Sequence, residues 1–171
     1  RDSSWVAIDL ASKTKINLTK ALPVPFYEEL HDSPSLPGNY GSEGWMAGDA
    51  AILINDRFDI WKIDPKNPSA AVNLTRGEGR KIQVVFRRER LNYDETAIDP
   101  KETLVLSAFN ENNKEAGFYT STYDGKAAPK LLLMSAHRYT GLTKAKDASQ
   151  ILVRRSTYQE NPDVYLGDLT F

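Results

Sequence analysis

The sequence predicts an all-β fold assembled from repeats of a short antiparallel unit, and three observations carry that expectation. The apolar runs are short, turn-forming residues bound them, and one strand–turn–strand signature recurs along the chain. The runs are Ala51–Ile54, Ile82–Phe86, Leu104–Leu106, Leu131–Met134 and Ile151–Val153. Among the breaks around them are Asp64-Pro65, Asn110 to Asn113 and Asp124-Gly125. Runs of this length with such boundaries read as antiparallel strands, being too short for helices. Asp124-Gly125, after Phe118-Tyr119-Thr120, predicts a hairpin with a type I′ turn, whose central residues both need positive φ. Helical patterning is confined to a turn or two at Phe26–Leu30 and at Thr143–Ala148. Between Leu22 and Gly44, Pro23, Pro25, Pro34 and Pro37 break any regular element, so this stretch is expected to be a long ordered loop between two sheet units.

The recurrence sets the architecture. Ile8-Asp9-Leu10 aligns with Ile63-Asp64-Pro65, about 55 positions on, and brings Asn17-Leu18-Thr19-Lys20 onto Asn73-Leu74-Thr75-Arg76 with a one-residue slip. Asp59–Pro65 overlays Asp163–Leu169 without a gap, 104 positions apart. Midway, Gly117-Phe118-Tyr119-Thr120 supplies a further copy, followed after a turn by Lys130-Leu131-Leu132. An all-strand period of about 50 residues points to a β-propeller, in which each four-stranded blade buries its faces only against neighbours. An immunoglobulin-like sandwich also has short strands but lacks this echo. The 171 residues supply about three to four antiparallel blades of an incomplete ring. Residues 1–171 therefore read as one partial propeller domain with open blade edges, through which the chain is expected to dimerise or aggregate.

Composition narrows the function classes. Hydrophobic residues make up 40% and charged residues 26%, enough apolar content for a packed core. The 22 basic residues nearly balance the 23 acidic ones, so nucleic acid is not an expected partner. No apolar run is long enough to span a membrane. The absence of cysteine excludes disulfides, thiolate metal sites and cysteine nucleophiles. The first residue is Arg1 and no apolar leader follows it, which suggests a piece of a longer protein.

The segment Gly44–Asp49 with Ile52–Pro65 resembles the propeller of large bacterial serine peptidases of the prolyl oligopeptidase family. The ending Tyr158–Leu169 is similar to their last blade, just before the α/β-hydrolase domain, and Phe26–Asp32 and Asn73-Leu74-Thr75 fit the same pattern. Dipeptidyl and acylaminoacyl peptidases share that architecture, as do TolB-like propellers that bind proteins without catalysis. The resemblance implies that the propeller covers an active site and admits only peptides, and it favours a bacterial periplasmic or secreted setting, with a cytoplasmic one as the alternative. This chain has no Gly-x-Ser-x-Gly elbow, so the hydrolase domain is absent from it and is expected C-terminal to Phe171. Its partners would then be that hydrolase domain and a peptide substrate, and the chain alone is expected to be inactive. The alternative is a TolB-like module that mediates protein–protein interaction.

No catalytic residue, cofactor or metal is expected, and four residues are candidates for substrate contact. Some dipeptidyl peptidases hold the substrate's amino terminus with two propeller glutamates, and Glu28-Glu29 has that look. The pair lies about 145 residues before the chain's end, nearer the presumed hydrolase than that motif should be, so loop-organising carboxylates are expected instead. Arg87-Arg88, in the densest basic run, can meet a substrate carboxylate if it faces a channel; a charged strand end is the ordinary alternative. Ser135 and His137 share a strand face but lack a strained turn with oxyanion donors, so a strand-end histidine is expected. Asp56, Asp59 and Asp64 lack the glycine and glutamate of an EF-hand and are expected to cap turns and pair with Arg57 or Lys62. Gly77-Glu78-Gly79-Arg80 is too short for a phosphate loop and is read as a turn. Asn17 and Asn73 match the glycosylation sequon, yet their equivalent repeat positions favour a structural origin. Trp5, Trp45 and Trp61 are expected to pack between blades.

Overall fold

Short extended segments pair antiparallel with segments near them in sequence throughout the computed structural model, which describes residues 3–169. The strands are β1 (Val6–Ile8), β2 (Lys15–Asn17), β3 (Ser42–Trp45), β4 (Ile52–Asn55), β5 (Ile60–Ile63), β6 (Val72–Asn73), β7 (Val84–Arg88), β8 (Leu104–Asn110), β9 (Ala116–Ser121), β10 (Lys130–Ser135), β11 (Arg138–Lys144), β12 (Ile151–Ser156) and β13 (Asp163–Gly167). Helix is limited to α1 (Glu78–Ile82) and two 3-10 turns, Ala47–Asp49 and Pro68–Ala70. The strands form four antiparallel sheets in chain order: β1–β2, then β3–β4–β5–β6, then β7–β8–β9–β10, then β11–β12–β13. Within each sheet the strands follow one another in chain order, so no sheet contains a crossover.

The two-residue period of a strand sends alternate side chains to opposite faces, and this stacks the sheets in series. On β4, Ile52 and Ile54 join Leu18, Phe26, Trp61 and Ile63 in a core against the first sheet. Leu53 points the other way and packs with Ile60, Leu74, Phe86, Leu104 and Leu106, between the second and third sheets. Val105 and Phe118 in turn meet Leu142, Ile151 and Val153 of the fourth. The two inner sheets thus bury both faces. The outer two bury only one, leaving Val6 and Ile8 exposed at one end and Leu152, Val164 and Leu166 at the other. Among the described residues the sheets do not close into a ring.

The sequence repeat coincides with a repeat of position. Its copies at β5, β9 and β13 each form the third strand of a sheet. The Asn-Leu-Thr copies coincide in hydrogen bonding as well. Leu18 N–H donates to the Trp5 carbonyl and Leu74 N–H to the Ile60 carbonyl, both at 2.8 Å. Thr19 Oγ1 accepts from Trp5 N–H at 3.0 Å, as Thr75 Oγ1 does from Ile60 N–H at 3.4 Å. The Asn17 and Asn73 side chains each accept the N–H two residues on, an Asx turn that satisfies the backbone where the strand stops. Both sequons therefore have a structural reason to exist.

Several local expectations are corrected. Gly77–Arg80 is not a simple turn: it leads into α1, which stops where Gln83 takes a left-handed φ of 57°. Strand β7 consequently starts at Val84 and not Ile82. Strands β9 and β10 do form a hairpin, but residues 122–129 separate them and only Gly125 of the Asp-Gly pair has positive φ, so the turn is not type I′. Neither suggested helical stretch is helical. Thr143 and Lys144 extend β11, while Tyr27 makes an isolated bridge to Asn39 that pins the Pro-rich loop to itself. That loop ends sooner than expected, since β3 begins at Ser42. Trp61 is buried and Trp5 flanks the same core, whereas Trp45 remains partly exposed.

Candidate functional site

The turn between β4 and β5 carries Asp56 and Asp59, two carboxylates taken out of water and surrounded by donors. Asp56 Oδ1 accepts the Phe58 and Asp59 N–H groups at 2.7 and 3.0 Å, and its Oδ2 accepts the Trp61 indole N–H at 2.8 Å. Asp59 Oδ1 accepts the Thr75 hydroxyl at 2.5 Å and Gly79 N–H at 3.0 Å, and Oδ2 accepts Arg80 N–H at 3.1 Å. Donors at this density make carboxylate burial tolerable. Burial still dominates at Asp59: it pushes the carboxyl above its usual value, the nearby Asp56 adds to the rise, and the hydrogen bonds from Thr75, Arg80 and Gly79 only oppose it. Glycine at 79 is required by this closeness, because a Cβ there would lie 2.8 Å from Asp59 Oδ1.

Arg80 ties the Pro-rich loop to this turn. Its guanidinium forks onto Glu29 at 2.7 and 3.2 Å and reaches Asp56 Oδ1 at 3.4 Å. The pair with Glu29 holds Arg80 above its usual value. Phe58 lies between two cations, with the Arg57 and Arg80 guanidinium carbons 4.8 and 5.2 Å from its ring centroid. Tyr40 completes the anchorage, its hydroxyl oxygen accepting Glu29 N–H at 2.7 Å. Arg87 arrives from β7 and donates to the Asp56 and Arg57 carbonyls at 3.1 and 3.2 Å, with its guanidinium 5.9 Å from the Tyr40 ring centroid. Burial pulls the Arg87 guanidinium below its usual value, while Glu43 and Asp56 act against that shift.

Of the four candidate contacts, the fold brings Glu29 and Arg87 into one cluster and leaves Glu28 and Arg88 outside it. Glu28 remains half exposed, 3.4 Å from the His31 ring. Arg88 faces the opposite side of β7 from Arg87, almost fully enclosed, forking onto Glu95 at 2.6 and 2.8 Å and donating to the Tyr123 hydroxyl at 2.9 Å. The expected partners of the aspartates change: Arg57 pairs with Glu111 at 2.6 Å, Lys62 donates to the Tyr123 carbonyl at 2.6 Å, and Asp64 accepts Lys66 N–H in a separate turn. Ser135 Oγ lies 2.9 Å from His137 Nδ1 and 2.7 Å from the Tyr139 hydroxyl at the β10–β11 corner.

Sequence reasoning missed Arg80 and Tyr40, which are the residues that assemble the cluster. The one available signal was Arg80 following Gly79 just ahead of an apolar run; its partner Glu29 lies 51 positions away. Chemically, the cluster fastens a loop to a sheet and presents one arginine, Arg87, with no carboxylate hydrogen-bonded to it among the described residues. Among the described residues no group of three metal-ligating side chains stands together, and no helix is long and apolar enough to cross a membrane. Comparison with protein-family models, with curated proteins and with solved structures gave no match.

Proposed function

We propose that the chain is a non-catalytic propeller segment of a serine peptidase of the prolyl oligopeptidase type. In this reading it gates and positions peptides for a hydrolase domain that lies C-terminal to it. One observation supports it above the rest: a recurring sequence signature falls on the third strand of successive meanders stacked face to face. Blades that need a neighbour on each face have this arrangement, and the two outer faces here carry uncovered apolar residues. The resemblance of residues 44–65 and 158–169 supplies the peptidase part of the reading. Substrate selection would come from the shape of a closed ring, which admits short peptides and keeps folded proteins and bulk water out.

The test is the coding sequence beyond Phe171 and the activity of its product. We expect a Gly-x-Ser-x-Gly elbow within a few hundred residues, and a longer protein that hydrolyses short chromogenic peptides. That protein should lose activity on peptides as their length grows, and residues 1–171 alone should show no turnover. Further blades without an elbow, together with capture of a protein partner, would replace the peptidase with a TolB-like binding module.

A further inference from the structure

Between the third and fourth sheets lies a cavity of about 720 Å³ that the cluster around Asp56 only borders. Its lining includes Arg87, Lys114, Arg138 and His137, with Phe109 and Tyr139 among its apolar and aromatic walls, and it includes no aspartate or glutamate. That volume falls in the range of small-molecule sites, which are mostly apolar with a few placed polar groups.

The cations in this lining, of which Lys114 and Arg138 are exposed, differ from the arginines that join elements by ion pairs. Arg57, Arg80 and Arg88 each fork or pair onto a carboxylate, on Glu111, Glu29 and Glu95 respectively. Among the described residues Arg87 instead donates to the carbonyls of Phe86, Asp56 and Arg57 and to no carboxylate. Lys114 donates to the Glu111 carbonyl, 5.9 Å from the Phe109 ring centroid. Arg138 forms no ion pair among the described residues. His137 is provided for within the protein, with Ser135 at its Nδ1 and Glu160 3.8 Å from its Nε2, so it is not counted with the other three. Glu43, Asp56 and Asp59 lower the cost of burying Arg87 through space, yet none of them bonds to it.

Three cations without a carboxylate partner among the described residues, beside the exposed Phe109 ring and the half-buried Tyr139, form a complement to one chemical class. We propose that this cavity binds a small organic carboxylate carried on an apolar, preferably aromatic body. A planar carboxylate suits the guanidinium fork, and a charged hydrogen bond inside a partly dry cleft is stronger than the same bond in water. The ring or alkyl part would lie on Phe109 and Tyr139, which already line the wall. The inference stands apart from the peptidase reading and needs no residue beyond this chain.

The experiment is calorimetric titration of the 171-residue chain with N-acetyl-phenylalanine, its neutral amide and inorganic phosphate. The free acid should bind about tenfold or more tightly than the amide, the size of one charge-assisted hydrogen bond. Arg138→Gln, at an exposed strand position, should weaken the acid about tenfold and leave the amide unchanged; Lys114→Gln should repeat the effect more weakly. Circular dichroism establishes that each variant keeps its strands. Equal binding of acid and amide, no binding of the acid at millimolar concentration, or acid binding unaffected in both folded variants would overturn the proposal. Inorganic phosphate competing as well as the acid would overturn it too, since the site would then read charge alone.

Discussion

The two Asn-Leu-Thr hairpins, β1–β2 and β5–β6, share sequence, register and hydrogen bonds, yet they stand in different surroundings. Val6 pairs with Asn17 as Trp61 pairs with Asn73. Val6 is 47% exposed and Ile8 53%, while the equivalent Trp61 and Ile63 are 8% and 0% exposed. The second hairpin also has Asp59 where the first has Ser4, and with it the bonds to Gly79 and Arg80. Local sequence is therefore enough to build the hairpin. Burial is conferred by the neighbouring sheet.

The largest test of this difference is truncation at matched positions. Ile63→Ala should cost about 2–5 kcal/mol, the range for a fully enclosed aliphatic side chain, and Ile8→Ala under about 1 kcal/mol, read from urea midpoints at constant slope. A similar loss at both sites would break the comparison.

Next in size are the threonines. Thr75→Val leaves Ile60 N–H without its acceptor, removes one of the three hydrogen bonds that the buried Asp59 accepts, and should cost about 1–3 kcal/mol. Thr19→Val removes only the acceptor for Trp5 N–H among the bonds identified and should cost about 1 kcal/mol or less. The Thr75 change should also raise the Asp59 carboxyl further, because that hydroxyl lowers it.

The exposed faces give a smaller effect on stability and a clear one on association. The chain should self-associate in sedimentation velocity through its open edges and faces, and the double change Val6→Glu with Ile8→Glu should shift it toward monomer, with a stability change within about 0.5 kcal/mol. A compact, stable monomer of the unaltered chain would count against the propeller reading.

Smallest are the titrations, which should run in opposite directions in the two hairpins. Asp9, in the first, is held below 3.8 by backbone and side-chain bonds from Ser12, whereas Asp59 is raised above it by burial. What Asp9 adds to stability is present above 3.8 and is lost as pH falls through its lowered value. What Asp59 adds is present below 3.8 and is lost as pH rises through its raised value. Carboxyl carbon shifts followed by NMR would show the two midpoints on either side of the ordinary one.

Much of the fold was legible because strand periodicity and turn chemistry are local. All five apolar runs lie wholly or partly in strands, and the copies of the repeat fall at equivalent places. Strands β3 and β11 were hidden because Ser42-Glu43-Gly44-Trp45 and Arg138-Tyr139-Thr140-Gly141 carry no apolar run; their pairing partners, not their composition, make them extended. Helix α1 was hidden by its two glycines, one admitting a left-handed cap and the other the close approach of Asp59. The cluster was legible only in its members. Glu29 and Arg87 stand out as charges, but what joins them is Arg80, Tyr40 and the Asp56 carbonyl, and no spacing rule links residues that far apart.

Stacking in series also gives the molecule a direction in its stability. Each sheet exchanges core contacts mainly with the sheets beside it, so the energetics resemble those of a linear array with nearest-neighbour coupling. Units at the ends have one coupling to lose and inner units have two. Amide exchange should therefore quicken from the centre outward, slowest at Leu53, Leu104 and Leu106 and fastest in β1 and β13. The two hairpins that sequence made alike would then open on different timescales.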